Sequence, residues 1–425
     1  MKISPSGKSS KLAVLLLAAG VVAISIVWIA KTYLAERVGW KVSLRNFQLA
    51  TRLDPENSEY QLRLGRLYQY DPAEMDPDQA MTHLARAAEL SPYDPQAWLD
   101  LGAAFEFQAN TAQAEACLRR ADFLAPDLPP IQWAIGNFFL LHGNIDEAFR
   151  HFKVVLAGNP RYNQTIFDTA WKASGDPEKI LRELIPEHPA AEFDYLNYLL
   201  TRHDYPDAQN VWKRLSGGSE SFSAPRAAGY IDTLMAAHRL AEADEVWGAL
   251  RSKGLVPPTY QQSSRNLVMN GDFEADPLNM GFDWRLVPTA AAYTGIDRTT
   301  FHSPGRSALI QFSGKENVFY RHLFQYVRVA PRHAYRLQAF MKTEEITTDS
   351  GPRLEVRDAY DPSQLDRYSE YVTGSVPWSP LLLDFTTGAK TELLVVSVAR
   401  LPSQKFDNLI AGKAWVDDIS LGPLP

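Results

Sequence analysis

The sequence predicts two structural classes in succession along one chain. A transmembrane helix and an α-solenoid of paired helices come first, and an antiparallel β-sandwich follows. Three observations predict this: an uncharged apolar run near the N-terminus, residues that recur every 34 positions, and short strands with regular turn residues after position 265. The 425 residues, of which 45% are hydrophobic, are enough for two or three domains with buried cores.

The composition excludes several classes of function. The chain has 43 Lys and Arg against 50 Asp and Glu, with a net charge of −7, which argues against a nucleic-acid-binding platform. Cys117 is the single cysteine, so the chain has no intramolecular disulfide and no cysteine-based zinc site. Stability must therefore come from packing.

Residues 12–30 form the apolar run, which contains no charged residue. As a helix with a rise of ~1.5 Å per residue it would span about 28 Å, close to the hydrocarbon thickness of a bilayer. Trp28 and Tyr33 lie near its end, as interfacial aromatic residues do. We interpret it as a single-pass signal anchor in a bacterial inner (plasma) membrane, with residues 1–11 as a cytoplasmic tail and the bulk of the chain periplasmic or extracytoplasmic. Basic residues flank the run on both sides, so charge does not settle the orientation, and a buried helix is the alternative.

The helical half contains an internal repeat. One unit carries large and small residues in the order Trp98, Leu101, Gly102, Phe105, Ala114, Leu118, Ala121 and Pro126. Gly136, Ala148 and Pro160 repeat three of these positions 34 residues later. The pattern resembles the tetratricopeptide repeat, and the resemblance implies an α-solenoid of about five to six helix pairs over residues 31–255.

The repeat is uneven along the chain. The preceding unit carries Gly65 and Ala80 and has three extra residues, which we place in the turn around 71–77. Later units around Trp212 and Trp247 are weaker, and the segment 162–186 is degenerate. The first helix of the first unit would overlap the membrane anchor, so we expect the solenoid to start directly from that anchor.

In tetratricopeptide proteins the functional surface is usually the concave face, which the first helix of each pair lines. The resemblance places nine residues there: Leu62, Arg66, Gln69, Tyr70, Leu99, Glu106, Phe107, Trp133 and Asn137. They are mostly apolar with a few polar members, which predicts a groove for an extended or helical apolar segment of a protein partner. The alternative is that several of them contact only neighbouring helices.

A polar segment at 256–265 is typical of a linker, and the strand pattern begins after it. The sequence NLVMNGDFE at 266–274, followed by Phe282, Asp283 and Trp284, resembles the opening of the galactose-binding-like jelly rolls, which include many carbohydrate-binding modules. The resemblance implies one jelly-roll β-sandwich over residues 266–425.

The same resemblance implies two kinds of site. A structural Ca²⁺ would take side-chain ligands from Glu274 and Asp417, whose hard oxygens suit that ion, although both could instead be solvated or paired with arginine. Sugar binding needs exposed aromatic platforms beside hydrogen-bonding groups. The aromatic candidates are Tyr293, Tyr320, Tyr326 and Tyr360, with Asp283, Arg328 and Arg357 nearby in sequence.

The sequence contains no phosphate-binding loop, dinucleotide fingerprint, serine-hydrolase elbow or HExxH zinc motif, so we predict that the protein is not an enzyme. The leading hypothesis is a membrane-anchored envelope scaffold whose solenoid binds a protein and whose sandwich binds a glycan, in cell-surface polysaccharide export or assembly. The first alternative is a pure protein–protein interaction adaptor, and the second is a subunit that positions an enzyme on a polysaccharide. An exposed row of two or more aromatic residues across one sheet, with polar groups between them, would favour glycan binding. A sandwich surface without such a row would favour the adaptor.

Overall fold

The computed structural model describes residues 8–158 and 160–424 and confirms the predicted fold class: helices in the first half and two antiparallel sheets in the second. The helices are α1 (Lys8–Gly39), α2 (Leu44–Leu53), α3 (Ser58–Tyr70), α4 (Pro77–Leu90), α5 (Pro95–Phe107), α6 (Thr111–Leu124), α7 (Pro129–Leu141), α8 (Ile145–Gly158), α9 (Asn163–Ser174), α10 (Pro177–Lys179), α11 (Pro189–Thr201), α12 (Tyr205–Gly217), α13 (Ala228–Ala236) and α14 (Leu240–Ser252). The strands are β1 (Arg285–Leu286), β2 (Ala292–Asp297), β3 (Ser307–Ser313), β4 (Tyr320–Arg328), β5 (Ala334–Ile346), β6 (Arg353–Asp358), β7 (Asp366–Tyr368), β8 (Gly374–Thr386), β9 (Leu393–Arg400) and β10 (Ala411–Pro423).

Helix α1 joins the candidate anchor to the solenoid without a break. Among the described residues, one helix is long and apolar enough to cross a membrane, and it lies within α1. The last two turns of α1 are part of the solenoid core, because Ala35 is fully buried in a cluster with Ala50 and Tyr60. The apolar run and the first helix of the solenoid are therefore one continuous helix.

Helix pairs of tetratricopeptide type follow, and their glycines permit close approach. A Cβ atom on Gly65 would lie 2.6 Å from Cγ of Leu84, and one on Gly136 would lie 2.5 Å from Cε1 of Phe152. The two helices of a pair can therefore pack only if these positions lack a side chain. The three extra residues do lie in the turn between α3 and α4, and the degenerate segment contains a π-helical turn, Ile180–Leu184.

The chain divides into two compact units, Met1–Tyr198 and Leu199–Pro425, so α12–α14 group with the sandwich. The predicted linker at 256–265 does separate the last helix from the first strand, but it is not a solvated tether. Val256 and Tyr260 are buried, and Nε1 of Trp247 donates to the Tyr260 carbonyl at 3.1 Å. The predicted domain boundaries otherwise stay predictions.

The sandwich consists of two five-stranded sheets. Sheet 1 has the strand order β1-β4-β9-β6-β7, and sheet 2 has the order β2-β3-β10-β5-β8. Every second side chain of each strand points into the core between the sheets, where Phe273 and Trp284 are fully buried. The alternate side chains of sheet 1 point outward and form the surface described below.

Candidate functional site

The first unit exposes an apolar ladder, which we define as Trp40, Tyr70, Phe107 and Leu141. These side chains are 82%, 58%, 60% and 78% exposed, respectively. Each lies at the C-terminal end of the first helix of a pair or, for Trp40, directly after it. Because the repeat returns the same position once per pair, four successive pairs each present one large apolar side chain at the same structural position.

The repeat pattern predicted Tyr70 and Phe107 as groove residues but not Trp40 or Leu141. A signal for Leu141 was present in the sequence, since it follows Phe107 by 34 residues. Trp40 was not apparent because the first helix of its repeat unit is continuous with the apolar run. The adjoining depression is lined by Val42, Phe47, Leu67 and Tyr70, and Arg66 lies beside them.

Three of the residues predicted to line the groove make contacts within the helical array instead. Leu62 is buried in the solenoid core, so the prediction that it lines the groove is wrong. The Trp133 ring stacks on Tyr162 at 5.0 Å between ring centroids, and Nδ2 of Asn137 donates to the Trp133 carbonyl at 2.8 Å within one helix. For these residues the alternative of contacts between neighbouring helices is the better description.

Arg66 and Glu106, two polar residues predicted for the groove, also interact with other residues of the array. Arg66 forms an ion pair with the buried Asp100, whose Oδ1 accepts a hydrogen bond from Nε2 of Gln96 at 3.1 Å. Burial raises the pKa of Asp100. Oε1 of Glu106 lies 3.4 Å from Nε2 of His142. Gln69 and Leu99 are half-buried. The exposed, recognisable feature of this unit is thus the apolar ladder.

Two of the four tyrosines proposed for sugar binding are unsuited to it. Tyr320 is wrong because its ring is fully buried in the core and its hydroxyl lies 2.6 Å from that of Thr294. Tyr360 donates from its hydroxyl to the Met235 carbonyl of α13 at 2.6 Å, and its ring stacks on His238 at 3.7 Å. Tyr360 is therefore occupied by its contacts with the last helices. The sequence alone does not reveal this packing.

The other two tyrosines lie on different sheets. Tyr326 points outward from sheet 1 and is half-buried, with the Arg285 guanidinium 5.2 Å from its ring. Arg285 in turn forms two hydrogen bonds with Asp232 of α13. Tyr293 is well exposed on β2, an edge strand of sheet 2. The four candidates consequently form no common platform.

A different cluster occupies the outward face of sheet 1. Strand register aligns Phe324, Ser397, Glu355 and Tyr368 across β4, β9, β6 and β7. The Ser397 hydroxyl donates to Oε2 of the fully buried Glu355 at 2.6 Å. Arg321 forms an ion pair with Glu355, and its Nη2 donates to the Tyr368 hydroxyl at 2.6 Å. In this row two polar residues, Ser397 and Glu355, lie between two aromatic residues, Phe324 and Tyr368.

Two aromatic rings and two arginines extend the same face. Phe319 and Tyr371 are each nearly half exposed, and the guanidinium groups of Arg321 and Arg353 lie over their rings at 4.4 Å and 4.7 Å. Arg357 occupies the next outward position along β6, opposite Asp366 of β7. We call Arg321, Arg353, Arg357, Glu355 and Tyr368 the arginine face.

The arginine face has unused hydrogen-bonding capacity. The Nε atoms of Arg353 and Arg357 and Oδ1 of Asp366 are shielded from solvent and have no hydrogen-bond partner in the described chain. Buried polar atoms are nearly always hydrogen-bonded, so these atoms call for water or a ligand. The sequence did contain a signal for this charged face, because charged residues occupy every second position along β6, at Arg353, Glu355 and Arg357.

The predicted calcium ligands both contact the loop at 302–306. Oε1 of Glu274 accepts from the Arg306 amide at 3.1 Å, and Oδ2 of Asp417 accepts from the amides of His302 and Ser303 at 2.8 and 3.1 Å. Burial raises the pKa of Asp417 to about 6. The described residues contain no group of three His, Cys, Asp or Glu side chains suited to a metal. A calcium ion here would need main-chain carbonyls as its other ligands, and it stays a prediction.

Comparisons with known proteins found distant similarities to solved structures. No family model matches the chain, and no curated protein has a matching sequence. The MamA protein aligns with 17% identity over 46% of this chain and 97% of its own, with a TM-score of 0.31. A CBM4 structure aligns with 14% identity over 37% of this chain and 99% of its own, with a TM-score of 0.27.

The enzymatically active domain of tailspike protein 4 from bacteriophage CBA120 aligns with 12% identity over 37% of this chain, with a TM-score of 0.26. This chain spans only 21% of the length of that tailspike structure. At such identities and TM-scores the similarities carry no conclusion about this chain. Its fold is established by its own helices and strands.

Proposed function

We propose that this protein is a non-catalytic, membrane-anchored scaffold of the bacterial cell envelope whose solenoid recruits a protein partner. The observation that carries the proposal is the apolar ladder. Aligned exposed apolar side chains mark interaction surfaces, and aromatic residues supply most of the binding energy in many interfaces. Trp40, Tyr70 and Phe107 provide three such anchors on a rigid support.

The anchor supports the envelope setting. Helix α1 contains the apolar run, and its last turns belong to the solenoid core through Ala35. With residues 1–11 on the cytoplasmic side, the solenoid and sandwich would lie outside the cytoplasm at a membrane surface. Cell-surface polysaccharide export or assembly is the process that we propose for such a molecule.

The partner-binding proposal predicts a selective effect of charge on the ladder. We expect Phe107→Glu to abolish co-purification of a specific partner from solubilised membranes, because a carboxylate cannot enter an apolar interface without a large desolvation cost. Phe123→Glu is the matched control, since Phe123 is 75% exposed on the second helix of the same pair. Retention of every associated protein by the Phe107→Glu chain would contradict the proposal.

Glycan binding by the sandwich is the second function that we propose. The arginine face supports it, because a row of aromatic and polar groups crosses sheet 1 and has unsatisfied hydrogen-bonding atoms. A pure adaptor has no need of such a row. Structural calcium bound between Glu274, Asp417 and main-chain carbonyls would then serve to hold the chain ends of the sandwich together.

A catalytic role is not part of the proposal. Glu355, the buried carboxylate of the arginine face, is held by Arg321 and by the Ser397 hydroxyl. These contacts occupy both oxygens of a fully buried carboxylate, so Glu355 is poorly placed to reach a substrate bond. We propose that the sandwich binds its ligand and leaves its covalent bonds intact.

A further inference from the structure

We infer that the arginine face selects an anionic glycan, one whose sugar units carry carboxylate or another oxyanion. This inference rests on the proposed glycan-binding function and names the class of ligand. The sequence predicted aromatic platforms on which a neutral sugar ring could stack. The observed surface differs from this, because arginine guanidinium groups stack on its aromatic rings.

The two exposed rings are partly covered. Arg321 lies over Phe319 and Arg353 lies over Tyr371, each with the guanidinium carbon within 5 Å of the ring centroid. One face of each ring is therefore closed to a sugar. A guanidinium stacked on a ring is held in a defined plane, and a planar oxyanion can pair with those N–H groups at its edge that the protein does not already use.

The positive charge on this face is only partly balanced. Glu355 neutralises Arg321. Arg353 donates to the Ser350 hydroxyl oxygen at 3.1 Å, and neither Arg353 nor Arg357 forms an ion pair with a described residue. Asp366 is aligned with Arg357 in the strand register but is not paired with it, and the exposed Glu370 acts on Arg353 only at longer range.

An oxyanion would balance the two arginines together. Arg353 and Arg357 are half-buried and lie on the same side of β6, four residues apart, so one ligand chain running along the strand can reach both guanidinium groups. Charge-assisted hydrogen bonds from arginine to a carboxylate are about twice as strong as neutral ones. A neutral sugar would leave both guanidinium charges uncompensated.

Sheet 2 provides the matched control. Arg336 of β5 is exposed and forms two hydrogen bonds of 2.6 Å with Asp384 of β8. Its charge is balanced within the protein, and it lies on the outward face of the opposite sheet. Replacement of Arg336 therefore removes one positive charge from the sandwich without touching the arginine face.

The test compares ligands that differ only in charge. The full-length protein in detergent micelles is titrated with oligogalacturonate and with its fully methyl-esterified form, and Kd is measured by calorimetry. Sulfated and phosphorylated oligosaccharides form two further arms, and neutral xylan, galactan and glucan oligosaccharides form a third. We expect at least tenfold tighter binding of an acidic ligand than of its neutral counterpart, with the tightest arm identifying the oxyanion.

Substitutions then show which residues are responsible for the tighter binding of the acidic ligand. Arg353→Gln and Arg357→Gln should each weaken binding of the acidic ligand at least tenfold and reduce its salt dependence, while Arg336→Gln leaves both unchanged. Arg353→Lys and Arg357→Lys keep the charge and should retain part of the affinity, which a purely structural role would not predict. Unchanged melting temperatures establish that the variants are folded.

Three results would overturn the inference in distinguishable ways. Equal affinity for oligogalacturonate, its ester and the neutral oligosaccharides would disprove anionic selectivity and leave the proposed glycan binding intact. Absence of binding in every arm would disprove glycan binding itself. Acid-selective binding that Arg353→Gln and Arg336→Gln weaken equally would show nonspecific charge attraction, and would also overturn the assignment.

Discussion

The close approach of paired helices at Gly136 makes a quantitative prediction about the solenoid that holds the apolar ladder. An alanine there would place its Cβ 2.5 Å from Cε1 and 2.6 Å from Cδ1 of Phe152, roughly 1 Å closer than ordinary carbon contacts of about 3.5–4.0 Å. Phe152 is fully buried, so its ring has no space into which it can move.

The expected change in the stability of the α7–α8 pair is the difference between two opposing effects. Overpacking of a core costs about 1–3 kcal/mol, whereas replacing glycine by alanine inside a helix gains about 1 kcal/mol. These two effects leave a net destabilisation of the α7–α8 pair by Gly136→Ala between about 0 and 2 kcal/mol, and we expect about 1 kcal/mol. Local opening should then become roughly fivefold more frequent, since about 1.4 kcal/mol is a factor of ten.

Hydrogen exchange of the backbone amides in α7 and α8 measures this opening directly, without assuming that the whole chain unfolds in one step. Gly248→Ala in α14 is the control, because no atom lies within 4 Å of its added Cβ, and it should slow exchange around position 248. Combining Gly136→Ala with Phe152→Leu should recover part of the loss. Slower exchange in α7 of the Gly136→Ala chain would refute the packing account.

Three further predictions concern the second unit. Tyr360→Phe removes the hydrogen bond to the Met235 carbonyl and should destabilise the contact between α13 and the sandwich by about 1 kcal/mol, measured by exchange of the α13 amides. Burial raises the pKa of Asp283 to about 7, so its ionised form is disfavoured in the folded state. The melting temperature should therefore rise as the pH falls from 8 towards 5, and Asp283→Asn should flatten that rise. If calcium binds near Glu274 and Asp417, a chelator should lower the melting temperature of the sandwich; an unchanged value would exclude the ion.

The repeat register and its exceptions were predictable from the sequence because they depend on local spacing. Gly102 and Gly136 lie 34 residues apart, and the structure places Gly136 at a helix crossing that admits no Cβ. The turn that contains the three extra residues was also predictable, since an insertion in a turn leaves the helix faces unchanged. The ladder was only half found, because Trp40 belongs to a unit that shares its helix with the anchor.

The sugar-binding candidates show where such local reasoning ends. Tyr320 and Tyr326 are six residues apart on β4, so strict alternation would place both on one face of the sheet. An irregularity between Tyr320 and Leu323 shifts the register, which leaves Tyr320 in the core and Tyr326 outside. Nothing in the sequence marks that shift.

What the sequence determined by itself is the order of the parts: an apolar helix, paired helices with a fixed register, and a sandwich of alternating strands. Each follows from contacts between residues close together in the chain. The tertiary structure brings Arg321, Arg353 and Tyr368 onto one surface. The reason is the strand order, in which β9 lies between β4 and β6, and β7 pairs with β6. Strand order depends on long-range pairing and on packing between sheets, and local residue patterns do not encode either one.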